Sequence, residues 1–499
     1  MSANHISNIV IVGGGTAGWM TAASLSHAFA HLPVSFALIE SSDIGTVGVG
    51  EATIPTIREF YQALGISDIE IMRATNATCK LGIEFKDWHT KGKSFFHPFA
   101  LYGQAVRGIP FHHYWMKLRQ AGYTADISEF SLGVMLAMNG KFTVPSENPP
   151  SSMSVFDWAL HFDANLFANF LRDFSVKNGV KRIDDKVIGV DLRADDGFIK
   201  SLTLEKNQKI EADLFIDCTG FQGLLIEGAL QTGYEDWSQW LLCDRAVAAQ
   251  SEALEAPLPY TVSTAESAGW RWKIPLQHRA GNGHVYSSHH IGDDHAIDTL
   301  CKNVTGKLLN DPRVIKFTPG RRNKAWNKNC IAVGLSSGFL EPLESTSIAL
   351  IELAIDKIKL FFPDMDFNEE VIQEFNDRTR IEYERVRDFV IFHYKATART
   401  DSEFWNYCRN MSVPTELDYK NKLFKARGHL VKYPYEVFQQ PSWIAIYNGY
   451  EYLPETYDLQ ADYFDNHYLK TVFDEMRKSV RDSVSQAPTH EEFIRSIKI

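Results

Sequence analysis

Ile9-Val10-Ile11-Val12 runs straight into Gly13-Gly14-Gly15-Thr16-Ala17-Gly18, and few folds accept that junction. Four apolar, mostly β-branched residues read as a buried parallel strand. Gly13, Gly15 and Gly18 then give G-x-G-x-x-G, with a small-residue helix expected from about Ala17 to Phe29. The first glycine allows a tight turn, the second lets a pyrophosphate approach the backbone, and the third lets helix and strand pack closely. The phosphates then lie at a positive helix N-terminus. Val34 to Ile39 reads as a second strand ending in Glu40, 22 residues after Gly18, where an acid meets a ribose hydroxyl. Strand, helix, second strand and acid in register predict a dinucleotide site on Gly13, Gly15, Thr16, Ala17, Gly18 and Glu40.

The chain has 499 residues, enough for two to four domains. Its net charge of −11 argues against nucleic acid or an anionic membrane as a partner. No apolar run approaches the ~18 residues of a membrane span, and no signal peptide is expected before the first strand. Cys79, Cys218, Cys243, Cys301, Cys330 and Cys408 are scattered singly, without metal or redox spacing. No metal site is expected, and the cysteine usage suits a reducing cytoplasm.

Further along, Ile44 to Pro55 carries three glycines in six residues, with Val49, Gly50 and Ala52 as candidate ligand contacts. The competing reading is a flexible surface connection. Lys80 sits among small and apolar residues, where desolvation would lower its pKa, although a lysine taken alone reads as a solvated surface residue. His97-Pro98-Phe99 follows in an aromatic run, where a histidine is ordinarily structural. A loop is expected at Pro145 to Ser152 and a helix from about Trp158 to Lys177. Leu214 to Phe221 reads as a buried strand returning to the nucleotide sheet. The segment 243–290 alternates and reads as antiparallel sheet. Within it, Trp270-Arg271-Trp272-Lys273-Ile274-Pro275 places both tryptophans on one face and Arg271 with Lys273 on the other. A pair of core tryptophans satisfies the same pattern.

Cys330 to Gly334 reads as a third buried strand, and a helix is expected to begin after Ser345 or Thr346 as N-cap. That helix start is a second anion site, with Gly334 at the turn before it. Glu341 and Glu344 precede it, and an acid there is otherwise a dipole-stabilising residue. From Phe367 the chain is mainly helical, with Trp405, Tyr433, Tyr435, Phe438, Trp443 and Tyr447 clustered. The expected class is α/β. Residues 1–365 form a two-dinucleotide-binding-type domain with interleaved substrate-side segments at about 75–175 and 240–290. Residues 366–499 form a helical substrate cap. Only one G-x-G-x-x-G opens a βαβ unit, so no separate nicotinamide domain is expected.

Gly13 to Trp19, the Val47-to-Glu51 strap, Lys80 in its setting, Trp270 to Pro275 and Gly338 to Ile348 together resemble the flavin-dependent halogenases of the tryptophan-halogenase type, over nearly the whole chain. The resemblance implies FAD, with Gly334 and Leu343 added to its contacts, and a separate flavin reductase to reduce it. It implies that reduced flavin, oxygen and chloride or bromide give hypohalous acid, which travels to Lys80 beside the substrate. Lys80 then acts as hydrogen-bond donor or haloamine, and Glu344 assists it and takes the ring proton. The halide sits on backbone N–H groups of Thr346 and Ser347. Trp270, Trp272, Ile274 and Pro275 match a piece that lies near the flavin in that family and is thought to discourage hydroxylation. His97, Pro98, Phe99 and Trp443 match the aromatic pocket. Related enzymes are often dimers, so a homodimer is an expected assembly.

Two departures matter. Members acting on free tryptophan carry a paired tyrosine, a glutamate and a Phe-Trp pair that clamp the amino acid, and Gly428 to Trp443 shows no such clamp. Indole or an indole-type compound is therefore expected ahead of tryptophan. Ser347 stands where several members have glycine, which changes little if only its backbone N–H is used. The competing functions are a flavin monooxygenase hydroxylating an aromatic and a non-catalytic flavin-binding protein. Lys80 with Glu344 and the Trp-x-Trp-x-Ile-Pro piece separate the halogenase from both.

Overall fold

The computed structural model describes residues 4–43 and 50–498. Val49 and the rest of the strap at 44–49 lie outside the described residues. Of that loop residues 50–55 are in view, opening with the strand Gly50–Ala52.

The chain divides into two compact units, one made of 1–77, 162–244 and 316–384, the other of 78–161, 245–315 and 385–499. The first is built on a six-stranded sheet in the order Trp326–Asn327, Cys330–Ala332, Leu214–Asp217, Asn8–Val12, Ser35–Glu40, Lys181–Asp184. All neighbours are parallel except the first pair. Ile9 to Val12 are buried throughout, as a central strand covered on both faces requires. Val12 pairs with Ile39 on one side and Asp217 on the other, so three strand ends meet at the glycine turn. Helix Thr16–Ala28 packs against helices Ala164–Lys177 and Ser347–Leu360. Every residue from Gly18 to Ser26 is buried, which is why its sequence is small and apolar all round. An antiparallel layer of Val187–Leu192, Ile199–Leu204 and Lys209–Glu211 joins the same unit.

The second unit is built on a seven-stranded sheet in the order Arg313–Lys316, Arg245–Glu252, Arg279–Tyr286, Gly269–Pro275, Thr261–Glu266, Gly82–Lys86, Ser94–Pro98. The alternating segment forms the antiparallel centre, as expected, and Thr261–Glu266 runs parallel to Gly82–Lys86. Trp272 lies opposite Gly283, where an added Cβ would come within 2.0 Å of the indole. Helices of 385–499 complete this unit. Helix Glu369–Lys395 contributes its first part to one unit and its second to the other.

One element differs in type from expectation. Ala159–Asp163 is a strand, and the helix begins only at Ala164. The strand is buried at every position, so it shows no period-2 contrast to mark it. Among the described residues, no helix is long and apolar enough to cross a membrane.

Candidate active site

The first unit holds the nucleotide turn. Gly13 has φ +112°, and a Cβ there would meet the Cys218 carbonyl at 2.3 Å. At Gly18 a Cβ would come within 1.8 Å of the Gly13 carbonyl, so helix and strand approach as closely as backbone allows. Gly15 is different, because an added Cβ would meet nothing within 4 Å among the described residues. Its glycine leaves room for a group from outside the protein. Among the described residues no side chain caps the helix that follows, and its first turn carries no acid. Uncapped N–H groups at an open helix start fit the pyrophosphate of FAD.

Glu40 ends the second strand, as expected. Its Oε1 accepts from Arg182 Nε at 2.6 Å and its Oε2 from Trp19 Nε1 at 3.2 Å. Two of roughly four lone-pair sites are thereby used, which fixes the carboxylate and leaves acceptor capacity for ribose hydroxyls. Sequence reasoning missed Arg182, which is distant in the chain and carries no local motif. Gly334 has φ +75°, and a Cβ there would lie 2.9 Å from Ala17 Cβ, so the turn after the third strand packs on the start of the nucleotide helix. Thr16 is that helix's first residue, Ala52 is buried in its strand, and Leu343 is buried in the turn Pro342–Glu344.

That turn leads to the second helix start. Glu341 and Glu344 are each 1 % exposed, an expensive place for carboxylates that serve only a helix dipole. Ser345 is left-handed at φ +60°, rare for a residue with a Cβ, and turns the chain so that the helix begins at Ser347. Thr346 occupies the N-cap position but makes no capping bond, and its buried Oγ1 has no hydrogen-bond partner among the described residues. The expected cap chemistry is therefore absent, which leaves the helix N–H groups uncapped by a side chain.

Glu344 belongs to the first unit and Lys80 to the second. Lys80 is fully buried, against the solvated reading, and ends the strand Thr78–Lys80. Its Nζ lies 5.2 Å from the Phe99 ring centroid. His97 is 1 % exposed, with ring neighbours Phe99 at 6.5 Å, Phe389 at 5.6 Å and Phe438 at 5.9 Å. Phe438 stacks on Phe389 at 3.9 Å, and Trp443 stands edge-on to Phe389 at 4.9 Å. Pro98 closes the same strand opposite Gly82. His97, Phe99 and Trp443 thus share one aromatic cluster, and Lys80 reaches it through Phe99. Phe389 was missed, although its apolar neighbours on a charged helix were a usable signal.

Beneath Trp443 lies a buried ion pair that sequence reasoning also missed. Lys420 Nζ sits 4.2 Å from the Trp443 ring centroid and pairs with Glu436. Burial pushes the Lys420 ammonium down while Glu436 opposes the shift. Glu436 also accepts from the Tyr433 backbone N–H at 3.1 Å. In the Trp270–Pro275 piece, Trp270 is buried and packs near Trp272 and Trp88, with ring centroids 6.0 Å and 6.2 Å away. Arg271 pairs with Glu266 and Lys273 with Glu255, on the face the alternation assigns to them. Ile274 is buried, and the Pro275 carbonyl accepts from Thr78 Oγ1 at 2.6 Å. Among the described residues, no three metal-ligating side chains gather.

The tryptophan halogenase family model matches residues 8–466. The chain is 38 % identical to tryptophan 6-halogenase SttH of Streptomyces toxytricini, over 84 % of this chain and 83 % of that protein. Among solved structures, it resembles BrvH, a flavin-dependent halogenase from Brevundimonas sp. BAL3, with TM-score 0.96 and 53 % identity over 99 % of both chains. It also resembles Xcc4156, a flavin-dependent halogenase from Xanthomonas campestris, with TM-score 0.95 and 40 % identity over 99 % of this chain and 98 % of that one. The chain belongs to the tryptophan halogenase family and is a flavin-dependent halogenase acting on an aromatic substrate.

Proposed function

We propose that this enzyme halogenates indole or an indole-type compound in preference to free tryptophan, with chloride or bromide as halogen source. Bound FAD, reduced by a separate flavin reductase, supplies hypohalous acid from oxygen and halide. Lys80 presents this oxidant to the ring, its ammonium polarising the departing oxygen in surroundings where water does not compete. Glu344 accepts the proton that the ring loses, as a buried carboxylate can. The backbone N–H groups of Thr346 and Ser347 hold the halide at an uncapped helix start. Trp270, Trp272, Ile274 and Pro275 line the flavin side and keep the reaction from hydroxylation.

The observation that carries the substrate reading is the commitment of Glu436. It is the only acid between Gly428 and Trp443, and Lys420 together with the Tyr433 backbone already engages it. An amino acid's ammonium group finds no free carboxylate there, while His97, Phe99 and Trp443 provide aromatic walls for a bare ring. A site that pairs a polar group discriminates by orders of magnitude, and an apolar one does not. The test is incubation with FAD, a flavin reductase, NADH and bromide, with product mass and kcat/KM measured for indole and tryptophan. Brominated indole with the higher kcat/KM is expected. A hydroxylated product, or a clear preference for tryptophan, overturns the reading.

A further inference from the structure

The strand that carries Lys80 is only three residues long, and two buried histidines hold it. In a strand, residues two apart face the same side, so Thr78 and Lys80 share a face. Thr78 lies opposite His161 and Lys80 opposite Ala159 on the partner strand. The Thr78 hydroxyl donates its one proton to the Pro275 carbonyl at 2.6 Å. Its 3.0 Å contact with His161 Nδ1 must then be an Nδ1–H donating to the hydroxyl oxygen. His161 Nε2 is left as the acceptor, and the Thr261 hydroxyl meets it at 2.9 Å. Both ring nitrogens are satisfied and the tautomer is set. His161 is fully buried, and burial, followed by the Lys80 and His490 charges, holds its pKa well below the ordinary value. On the same strand the Cys79 N–H donates to His490 Nε2 at 3.0 Å, and His490 Nδ1 meets the Pro257 carbonyl at 2.7 Å.

These bonds join things the catalytic reading leaves separate. One chain of contacts runs from the Pro275 carbonyl, at the end of the Trp-x-Trp-x-Ile-Pro piece, through Thr78 to His161 and Thr261. Lys80 itself ends the strand opposite Ala159, approached through Thr78 and Cys79 and followed by Leu81, whose N–H donates to the Pro259 carbonyl at 2.7 Å. A long side chain amplifies any tilt at that point, and a misplacement of about 1 Å at a reacting group can cost 10²-fold.

We propose that His161 is a positioning residue for Lys80: its Nδ1–H, acting through Thr78, fixes the strand so that the oxidant reaches the substrate and is not lost to water. This rests on the reading of Lys80 as the delivering group. Two variants separate positioning from plain structural support. Asparagine places its side-chain amide near the Nδ1 position and can keep the bond to Thr78, whereas glutamine places it near Nε2 and keeps only the Thr261 side. Each loses one bond, so both melt lower by similar amounts. The readout is halogenated product per oxygen consumed, with escaped hypohalous acid trapped by an added thioether.

His161→Asn is expected to keep the wild-type ratio. His161→Gln is expected to lower it about tenfold or more, with trapped oxidant rising to match and FAD binding intact. Thr78→Val should repeat the Gln phenotype and Thr78→Ser should restore the ratio, which keeps the test decisive if His161→Gln does not fold. Equal ratios in His161→Asn and His161→Gln, or ratios that simply follow the melting temperatures, overturn the proposal while the halogenase reading stands. A wild-type enzyme that gives no halogenated product overturns both.

Discussion

Protein atoms crowd Gly13 and Gly18, whereas the described residues leave open space around Gly15. The distinction has a measurable consequence. Gly15 has φ −77° and ψ −171°, a conformation any residue adopts, so Gly15→Val should fold with stability within about 1 kcal/mol of wild type and fail to bind FAD. Gly18→Ala forces a methyl against the Gly13 carbonyl and should cost about 1–3 kcal/mol or more. Thermal melts beside FAD titrations decide it, and a Gly15→Val protein that retains flavin contradicts the assignment. The glycine spacing was legible because each glycine answers to a local need. Lys80 was less so, because a three-residue strand is too short to show a period, and small and apolar neighbours suit both a buried lysine and a solvated one. Glu40's partner Arg182 was invisible for another reason: it arrives from the neighbouring edge strand, which is distant in the chain.

The helix Ser347–Leu360 shows what a sequence-level cap signal can and cannot say. The residue types at 345 and 346 locate the helix start correctly, yet Thr346 makes no capping bond and its buried hydroxyl has no partner among the described residues. Removing a working N-cap costs about 1 kcal/mol. Thr346→Val should instead be neutral or stabilising, since it deletes an unsatisfied buried group and keeps the shape. If the halide is held by backbone N–H groups, the bromide KM should not change either. A loss above about 1 kcal/mol, or a raised bromide KM, would give the hydroxyl a role. The antiparallel segment at 245–286 was readable from alternation. Its parallel junction with Gly82–Lys86 was not, because the two strands are far apart in the chain and no local pattern encodes their pairing. The mistaken helix start at Trp158 had a readable correction: Asp163 accepts from the Asn165 and Leu166 N–H groups at 3.0 and 3.2 Å, an N-cap placed directly before the true helix.

The two units should respond oppositely to pH. The second holds His112, His113 and His490, which burial, as the largest cause, depresses to about 3, about 4 and about 4. Unfolded histidines take protons near 6.5, so their contribution is complete above that pH and is lost as pH falls from 6.5 toward 4. In the first unit, burial pushes the Glu352 carboxyl up to about 8. That group binds its proton more tightly when folded, so its contribution is present below the ordinary 4.5 and is lost as pH rises toward 8. Hydrogen exchange at pH 7.5 and pH 5, corrected for intrinsic rates, should show protection falling in the second unit and holding or rising in the first on acidification. Parallel loss in both units contradicts the assignment. The central claim is that Lys80 delivers the oxidant and Glu344 takes the ring proton. It is tested most directly by measuring brominated indole and oxygen uptake together in Lys80→Ala and Glu344→Gln, supplied with reduced flavin and bromide. The account predicts no product but undiminished oxygen uptake and FAD binding in Lys80→Ala, and a rate loss of ~10²–10⁴ in Glu344→Gln. Bromination at the wild-type rate in Lys80→Ala would contradict it.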